Sequence, residues 1–342
     1  MKKSNALGTL HVGTGLQFGP LTVFPVWTDA PIARGFSTAR RRNIQVSELD
    51  PPTVPRLIVS HELDTDVLLL EGTMLVGGWQ TRVAACDVVI PRGERVVVDV
   101  RCVEAGRWHG GRGHGVDGMA PMSVKVALRG GQSRMRHADQ SEVWQKVSRL
   151  ERFYGTKSTN SLHELMNDSI TRSEYKRADG AMPTAQQMHL QEESLPDAPG
   201  NDIRGVDEQV LADLRTYARS PLPGQRGIII GIGGVPVCLE LYGSSTACRA
   251  ELLPTLTAAL LDAGSAEKVG VTRGQAARDF AKQCALLSDK AMWDVADLLE
   301  GVSETTRDGD DDIDLRGLRR SDTKTLLHFS ALNMKHELAL AM

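Results

Sequence analysis

Five short segments rich in valine, leucine and isoleucine most constrain what the first 108 residues can form. They are LTVFPVW (21–27), RLIVS (56–60), DVLLL (66–70), RVAACDVVI (82–90) and RVVVDVRCV (95–103). Their length and β-branched content are typical of strands ended by proline and glycine. Because PRGER between the last two is a turn sequence, we expect these two strands to form an antiparallel hairpin. The N-terminal part is therefore predicted to be β-rich.

Helical periodicity begins after residue 140. The segment from Ser141 predicts a helix with Ser141 as its N-cap and Gly155 just past its end. Further helices are predicted in SLHELMNDSITRSEYKR, VDEQVLADLRTYARS, QAARDFAKQCALLSDKAMWDVADLLEG and RAELLPTLTAALLDA, the last one broken or begun near Pro254. MSVKVALR fits a strand or the start of a helix. The glycine-rich HGGRGHGVDG (109–118) and the acidic TRDGDDDID are predicted to be loops.

Two strands around the glycine pair of GIGG and a last strand in TLLHFSALN complete an α+β fold with antiparallel strands. GIGG resembles half of a dinucleotide fingerprint, but no helix follows it to receive a pyrophosphate. We therefore predict a hairpin turn between strands 227–232 and 235–241. We expect one domain over 8–333, with subdomains 8–135 (β-rich) and 136–333 (mixed) and a flexible insertion at 178–205, where limited proteolysis should cut first.

Composition narrows the function classes. A net charge of −3 gives no general attraction to nucleic acid, and no apolar stretch is long enough to span a membrane. The five cysteines are odd in number and contain no CxxC, which argues against disulfides and zinc. His109, His114 and Asp117 are better interpreted as surface residues than as metal ligands, because a glycine loop does not preorganise a site. We expect a cytoplasmic protein with no metal and no cofactor.

The segment EGTMLVGGWQTR is the best candidate for chemistry. Glu71 ends an apolar strand, while Gly72, Gly77 and Gly78 allow close approach of the backbone. Gln80 and Arg82 alternate, and therefore share one face of a strand. These residue types suit the binding of an anionic or ribosyl ligand, and they equally suit a buried ion-pair network that fixes the sheet.

A second group of polar residues follows in VRCVEAGRW, where Arg101, Glu104, Arg107 and Trp108 precede the glycine-rich loop. We expect this group to meet Gln80 and Arg82 and to line a cleft bordered by 109–118. The predicted ligand-binding residues are Gln80, Arg82, Arg107, Gly77, Gly78 and Trp108, and the predicted general base or electrostatic stabiliser is Glu71 or Glu104.

Several segments together resemble a known family. They are LTVFPVW, LLLEGTMLVGGWQTR, VVIPRGERVVVDVRCVEAGRW, SEVWQKVSRL, GIIIGIGGVPVCLELYGS and LLHFSALN. In this order they are similar to the bacterial domain family associated with ADP-ribosylglycohydrolases and rhodanese-phosphatases, over about Gly8 to Asn333. The family's Gln-Asn-Arg motif here has Thr81 in the middle position. The resemblance implies an α+β domain linked to NAD and ADP-ribose metabolism, and it names no reaction.

Two functions from different classes remain open. In the first, the protein binds or processes an ADP-ribose or NAD-like nucleotide-sugar through the Arg, Glu and Gln cluster. In the second, it is a non-catalytic interaction module that docks a partner enzyme of ADP-ribose metabolism, and the charged cluster is structural. Whether Glu71, Gln80, Arg82, Glu104 and Arg107 meet at an open cleft or are buried as closed pairs distinguishes the two.

Overall fold

A computed structural model of the chain describes residues 6–41, 44–130, 139–155, 161–178, 206–295 and 302–340. Nine of the strands in these ranges form one large sheet. They are β1 (Leu10–Val12), β2 (Leu16–Phe18), β3 (Leu21–Thr28), β13 (Gly227–Ile232), β14 (Val235–Tyr242), β15 (Asp294–Val295), β16 (Ser303–Gly309), β17 (Ile313–Arg320) and β18 (Leu326–Asn333). Their order is β1-β3-β13-β14-β18-β17-β16-β15, and β2 also pairs with β3.

Six further strands close into a barrel in the order β11-β6-β5-β12-β8-β9. They are β5 (Gln45–Ser47), β6 (Arg56–Ser60), β8 (Thr73–Gly77), β9 (Arg82–Ala84), β11 (Arg95–Cys102) and β12 (Gly113–Met119). A small sheet beside the barrel has the order β10-β7-β4 and contains β4 (Phe36–Thr38), β7 (Asp66–Leu69) and β10 (Val88–Ile90).

The chain order explains how these parts join. Strands β3 and β13 are antiparallel neighbours in the large sheet, with Val26 opposite Gly227. Almost 200 residues of chain therefore separate these two hydrogen-bonded strands, and the barrel forms within this intervening segment. The N-terminal strands thus belong to the same sheet as the C-terminal ones. The proposed division at residue 135 stays a prediction.

Seven α-helices lie within the described ranges. They are α1 (Met122–Leu128), α2 (Gln140–Tyr154), α3 (Leu162–Ala178), α4 (Glu208–Arg219), α5 (Ser245–Ser265), α6 (Gly274–Ser288) and α7 (Glu337–Leu340), and a 3-10 turn covers Ala39–Arg41. None of these helices is long and apolar enough to cross a membrane.

The large sheet buries both of its faces, which explains why its central strands are apolar throughout. On β13, Ile228 and Ile230 join the cluster that packs against α5 and the outside of the barrel, whereas Ile229 joins a second cluster with Phe280 and Cys284 of α6. A third apolar cluster fills the barrel. The barrel and helices α1 to α5 therefore lie on one face of the sheet, and α6 lies on the other.

The α+β class is confirmed, and so are the hairpin at GIGG, the helix ending at Gly155 and the last strand. At the hairpin, Gly233 and Gly234 have positive φ values of 61° and 86°, which only glycine adopts readily at a two-residue turn. Cys86, Cys102, Cys238, Cys248 and Cys284 are free thiols.

Six sequence predictions require correction. The segment 82–90 is two strands: β9 pairs with β11 as expected, but β10, next to the PRGER turn, pairs with β7. Residues 113–119 form strand β12 because their backbone completes the barrel, despite the glycines. Helix α5 runs through Pro254, and Asp139, not Ser141, caps α2. The acidic segment forms the β16–β17 hairpin.

The helix predicted from 275 to 301 is also too long, since α6 ends at Ser288 and β15 follows. The predicted flexible insertion falls almost entirely on residues 179–205, which lie outside the described residues.

Candidate functional site

Glu71 lies in the core, between the barrel and the large sheet, and is 3% exposed. Its carboxylate accepts a hydrogen bond from Arg129 Nε at 2.8 Å and one from Arg316 Nη1 at 2.6 Å. Arg129 also donates to Asp314 at 3.0 Å and to the Ser330 hydroxyl at 2.8 Å. Glu71 is therefore held in a closed ion pair with the buried guanidinium of Arg129 and the partly buried one of Arg316.

The same network continues along the sheet through Glu240, whose carboxylate accepts from Lys125 Nζ at 2.9 Å. His328 lies between two carboxylates, with Nδ1 2.6 Å from Asp87 and Nε2 3.1 Å from Glu240. Burial alone would lower the pKa of His328, but the charges of Asp87 and Glu240 raise it to about 9. His328 is thus a cation at neutral pH.

We call the following eight residues the core charge network: Glu71, Asp87, Lys125, Arg129, Glu240, Asp314, Arg316 and His328. Four carboxylates face four cations in it. Strand register places Glu240 and Arg316 on one sheet face, because both are opposite Ser330 of the strand between them. Because the four negative charges are matched by four positive ones, their mutual attraction offsets part of the desolvation cost of burying these ions.

Arg82 belongs to a different group at one end of the barrel. It begins β9, is fully buried, and shares the inward face with Ala84 of the barrel core. Its Nη1 donates to both oxygens of Glu48, at 3.0 and 2.9 Å, and the side chains of both residues are 0% exposed. His114, which was expected at the surface, is buried, and its Nε2 lies 3.2 Å from Glu48.

The charge state of this group follows from its burial. Desolvation lowers the pKa of His114 despite the neighbouring carboxylate of Glu48. A neutral His114 leaves Arg82 as the cation that balances Glu48. No sequence pattern pointed to Glu48, because it lies in a polar segment with no recognisable spacing to Arg82.

Glu104 and Arg107 form a second closed pair beside Arg82. Arg107 donates from Nε and Nη2 to the two carboxylate oxygens at 2.6 and 2.7 Å, and Thr81 N donates to Oε2 at 2.7 Å. These hydrogen bonds lower the pKa of Glu104 against the opposing effect of burial. Gln80 Nε2 donates to the Glu104 carbonyl at 3.2 Å. Gln80, Glu104 and Arg107 therefore lie together, and the expected cleft bordered by 109–118 stays a prediction.

The glycines of GGWQTR allow the residues of this group to pack closely against the backbone. A Cβ on Gly78 would lie 2.0 Å from His114 Nε2, so the close approach is to His114. Arg107 Nη1 donates to the Gly78 carbonyl at 2.9 Å and its Nη2 donates to the Gly77 carbonyl at 3.3 Å. The guanidinium of Arg107 thus fastens the loop after Glu104 to the end of β8.

Three polar atoms of the group are left without a partner. Gln80 Oε1, Arg82 Nε and Arg82 Nη2 are buried and make no hydrogen bond with any residue that the structure describes. Trp108 lies above them: its ring centroid is 5.7 Å from Arg82 Cζ, it meets Trp79 edge to face at 5.1 Å, and it is 42% exposed. Unpaired buried polar atoms are costly and require an explanation.

We call the residues of this region the barrel-end cluster: Glu48, Gln80, Arg82, Glu104, Arg107, Trp108 and His114. It contains every predicted ligand-binding side chain and one predicted catalytic residue, Glu104. The other, Glu71, makes its contacts in the core charge network instead. Lys125 and Arg129 were missed, although charged residues four apart in the apolar MSVKVALR were a signal for a buried charge site.

A separate cavity of about 380 Å³ opens beside the outer face of the barrel. Its polar lining includes Arg40, Asp117, His163, Asn167 and Arg215, and the rest is mainly apolar. None of these residues was predicted as a site, because they come from β12, α3, α4 and the turn before β5, whose proximity only the fold creates. Within the described ranges, no group of three or more His, Cys, Asp or Glu is arranged to hold a metal ion.

A family model described as the ARG and Rhodanese-Phosphatase-superfamily-associated Protein domain, ARPP-1, matches residues 9–332. Neither the curated proteins nor the solved structures give a match to the chain.

Proposed function

Because the chain belongs to the family of ARG and Rhodanese-Phosphatase-superfamily-associated Protein domains, we propose that it binds a nucleotide-sugar of the ADP-ribose or NAD class at the barrel-end cluster. The observation that carries the proposal is the set of unpaired buried atoms on Gln80 and Arg82 beneath a partly exposed Trp108. A ligand that supplies both donors and acceptors, and a flat ring, would satisfy all three residues.

Each residue has a distinct part in this proposal. Gln80 Oε1 accepts from a ribose hydroxyl or an exocyclic amine, and the free nitrogens of Arg82 donate to a phosphate oxygen. Trp108 lies over Arg82 and must move outward to admit the ligand. Its ring then stacks on the base, a contact that every base can make. Arg107, Gly77 and Gly78 hold this loop in place.

The observations support ligand binding better than a catalytic role for Glu71 or Glu104. Both carboxylates that the sequence suggested as catalytic accept hydrogen bonds from guanidiniums, Glu71 from two and Glu104 from one in bidentate form. Arg107 also keeps the pKa of Glu104 low, and an ionised, fully paired carboxylate is a weak general base. We therefore assign Glu104 a positioning role in the proposed site.

The test is calorimetric titration of the protein with ADP-ribose and with NAD, combined with tryptophan fluorescence. We expect Trp108→Ala to weaken binding by about tenfold or more through loss of stacking, and Trp108→Phe to retain most of the affinity. Trp27→Ala is the matched control, since Trp27 lies on β3 of the large sheet and its Nε1 donates to the Pro223 carbonyl. Absence of binding to the wild type, or equal affinity in Trp108→Ala, would refute the proposal.

A second candidate is a non-catalytic module that docks a partner enzyme of ADP-ribose metabolism. The observation that favours it is the closure of the ion pairs of Arg82 and Glu104, with Trp108 left partly exposed beside them. Exposed tryptophans are frequent centres of protein interfaces. Calorimetry with a purified ADP-ribosylglycohydrolase tests it: binding lost in Trp108→Ala, together with no response to ADP-ribose, would favour this candidate over the first.

A further inference from the structure

We propose that Gln80 recognises the exocyclic amine of an adenine ring, so that the barrel-end cluster selects adenine over hypoxanthine. This selectivity rests on the proposed nucleotide-sugar site and concerns the part of the ligand that the site distinguishes. The decisive atom is Gln80 Oε1. Among the buried side-chain atoms of the barrel-end cluster, it is the one acceptor without a donor from the residues that the structure describes.

The orientation of the Gln80 amide is set by the backbone of Glu104. Gln80 Nε2 donates to the Glu104 carbonyl oxygen at 3.2 Å, and Cys102 Sγ donates to the same oxygen at 3.0 Å. Because a carbonyl oxygen only accepts hydrogen bonds, the amide nitrogen of Gln80 must face it. A half turn of the amide would place two acceptors against each other. Gln80 therefore presents its oxygen, and not its nitrogen, to a ligand.

Glu104 is itself held in position, which keeps the Gln80 amide in place. Its carboxylate accepts from Arg107 Nε and Nη2 at 2.6 and 2.7 Å, and from Thr81 N at 2.7 Å. Gln80 is only 7% exposed, so its oxygen has little access to bulk water. A buried acceptor without a donor is unfavourable, and a ligand that supplies the donor removes this penalty.

The unpaired atoms of Arg82 narrow the kind of ligand. Nε and Nη2 of Arg82 are hydrogen-bond donors and cannot accept. An ionised phosphate group satisfies these two nitrogens, but it offers no donor to Gln80 Oε1. A ligand that satisfies both residues therefore carries a donor group in addition to its phosphate oxygens.

The position of Trp108 favours a ring amine over a ribose hydroxyl as that donor. Trp79, the residue before Gln80, meets the Trp108 ring edge to face at 5.1 Å, and Arg82 Cζ lies 5.7 Å from the centre of this ring. Gln80 thus lies in the chain between two residues that contact the ring on which the base stacks. The amine of adenine lies at the edge of the stacked ring and in its plane. Hypoxanthine has an oxygen at this position, which would oppose Gln80 Oε1.

The probes are ADP-ribose and inosine diphosphate ribose, which differ only in the base, adenine in the first and hypoxanthine in the second. In calorimetric titration of the full chain, we expect inosine diphosphate ribose to bind at least about tenfold more weakly, because the donor is replaced by an acceptor. The same order is expected for NAD and nicotinamide hypoxanthine dinucleotide. Equal affinities within each pair would overturn the selectivity and leave the nucleotide-sugar site standing. Binding of neither ADP-ribose nor NAD would refute both.

The variant Gln80→Met tests whether Gln80 is the residue responsible. It removes the acceptor at similar side-chain size, so the ratio of the two affinities should fall from at least about tenfold to near one. This ratio separates recognition from a structural role, because loss of the hydrogen bond to Glu104 affects both probes alike. A wild-type ratio in Gln80→Met would overturn the assignment.

Gln225→Met is the matched control, because Gln225 is buried but its amide is already paired. Its Oε1 accepts from Leu222 N at 3.2 Å, and its Nε2 donates to the Gly227 carbonyl at 3.0 Å. We expect this variant to keep the wild-type ratio, and an equal fall in both variants would refute a specific role for Gln80. If Gln80→Met does not fold, the affinities of the wild type for the paired probes still decide the proposal.

Discussion

The core charge network and the barrel-end cluster are built from the same residue types and differ in how their guanidinium groups are paired. In the core charge network, Glu71 accepts from two arginines and Arg129 donates to three acceptors. In the barrel-end cluster, Arg82 uses only Nη1 and leaves two nitrogens without an acceptor among the described residues. The first arrangement serves the fold, and the second is the one at which we propose that a ligand binds.

The two histidines make the same contrast. His328 lies between Asp87 and Glu240, and its pKa is raised to about 9 because a cation is needed to balance these carboxylates. His114 has one carboxylate neighbour, Glu48, which Arg82 already neutralises, so burial prevails and lowers its pKa. Pairing, and not burial alone, decides which buried histidine is charged.

The largest expected effect is in the core charge network. Arg129→Met removes the donors to Glu71, Asp314 and Ser330 and leaves buried carboxylates short of a cation. We expect a loss of about 3 to 5 kcal/mol in the free energy of unfolding, measured by urea denaturation. The control is Arg56→Met, whose pair with Asp99 is more than half exposed and should contribute less than about 1 kcal/mol. Similar losses in both variants would remove the distinction between core and surface pairs.

A smaller change in the free energy of unfolding is expected when the pH is raised. The pKa of His328 is about 9 in the folded protein and about 6.5 when unfolded, so its charge stabilises the fold fully below about pH 6.5. This contribution is lost as pH rises through 9, and at about 1.4 kcal/mol for each pKa unit the loss is on the order of 3 kcal/mol. Urea denaturation between pH 6.5 and 9.5 measures it. His328→Gln should flatten this dependence, and an unchanged slope in that variant would assign the effect to other groups.

The smallest effect is expected at the barrel-end cluster. Arg82→Ala leaves Glu48 buried without its cation, but protonation of His114 can supply part of the missing charge. We therefore expect a loss of about 2 kcal/mol, and partial recovery in Arg82→Ala combined with Glu48→Gln, both measured by urea denaturation at pH 7. A loss as large as that of Arg129→Met would mean that the two regions are equally structural, and that the unpaired nitrogens of Arg82 have no special role.

The predicted secondary structure was most accurate where local signals and tertiary packing agree. Gly233 and Gly234 specify their hairpin through the turn itself, and Gly155 ends α2 in the left-handed conformation. The predictions failed where distant partners decided the outcome. Strand β12 has five residues of glycine, histidine or aspartate among its seven, yet it forms because β5 and β8 provide hydrogen-bond partners.

The candidate site was likewise predictable from the sequence only in part. The sequence by itself determined the α+β class, the strand-forming segments and the grouping of Gln80, Glu104 and Arg107, because these follow from periodicity and from strands that are close in the chain. Only the tertiary structure decided that Glu71 pairs with Arg129 and Arg316, that Glu48 closes on Arg82, and that a cavity lies beside the barrel. These partners are separated by tens to hundreds of residues, and no local interaction records which distant charge will neutralise a buried one.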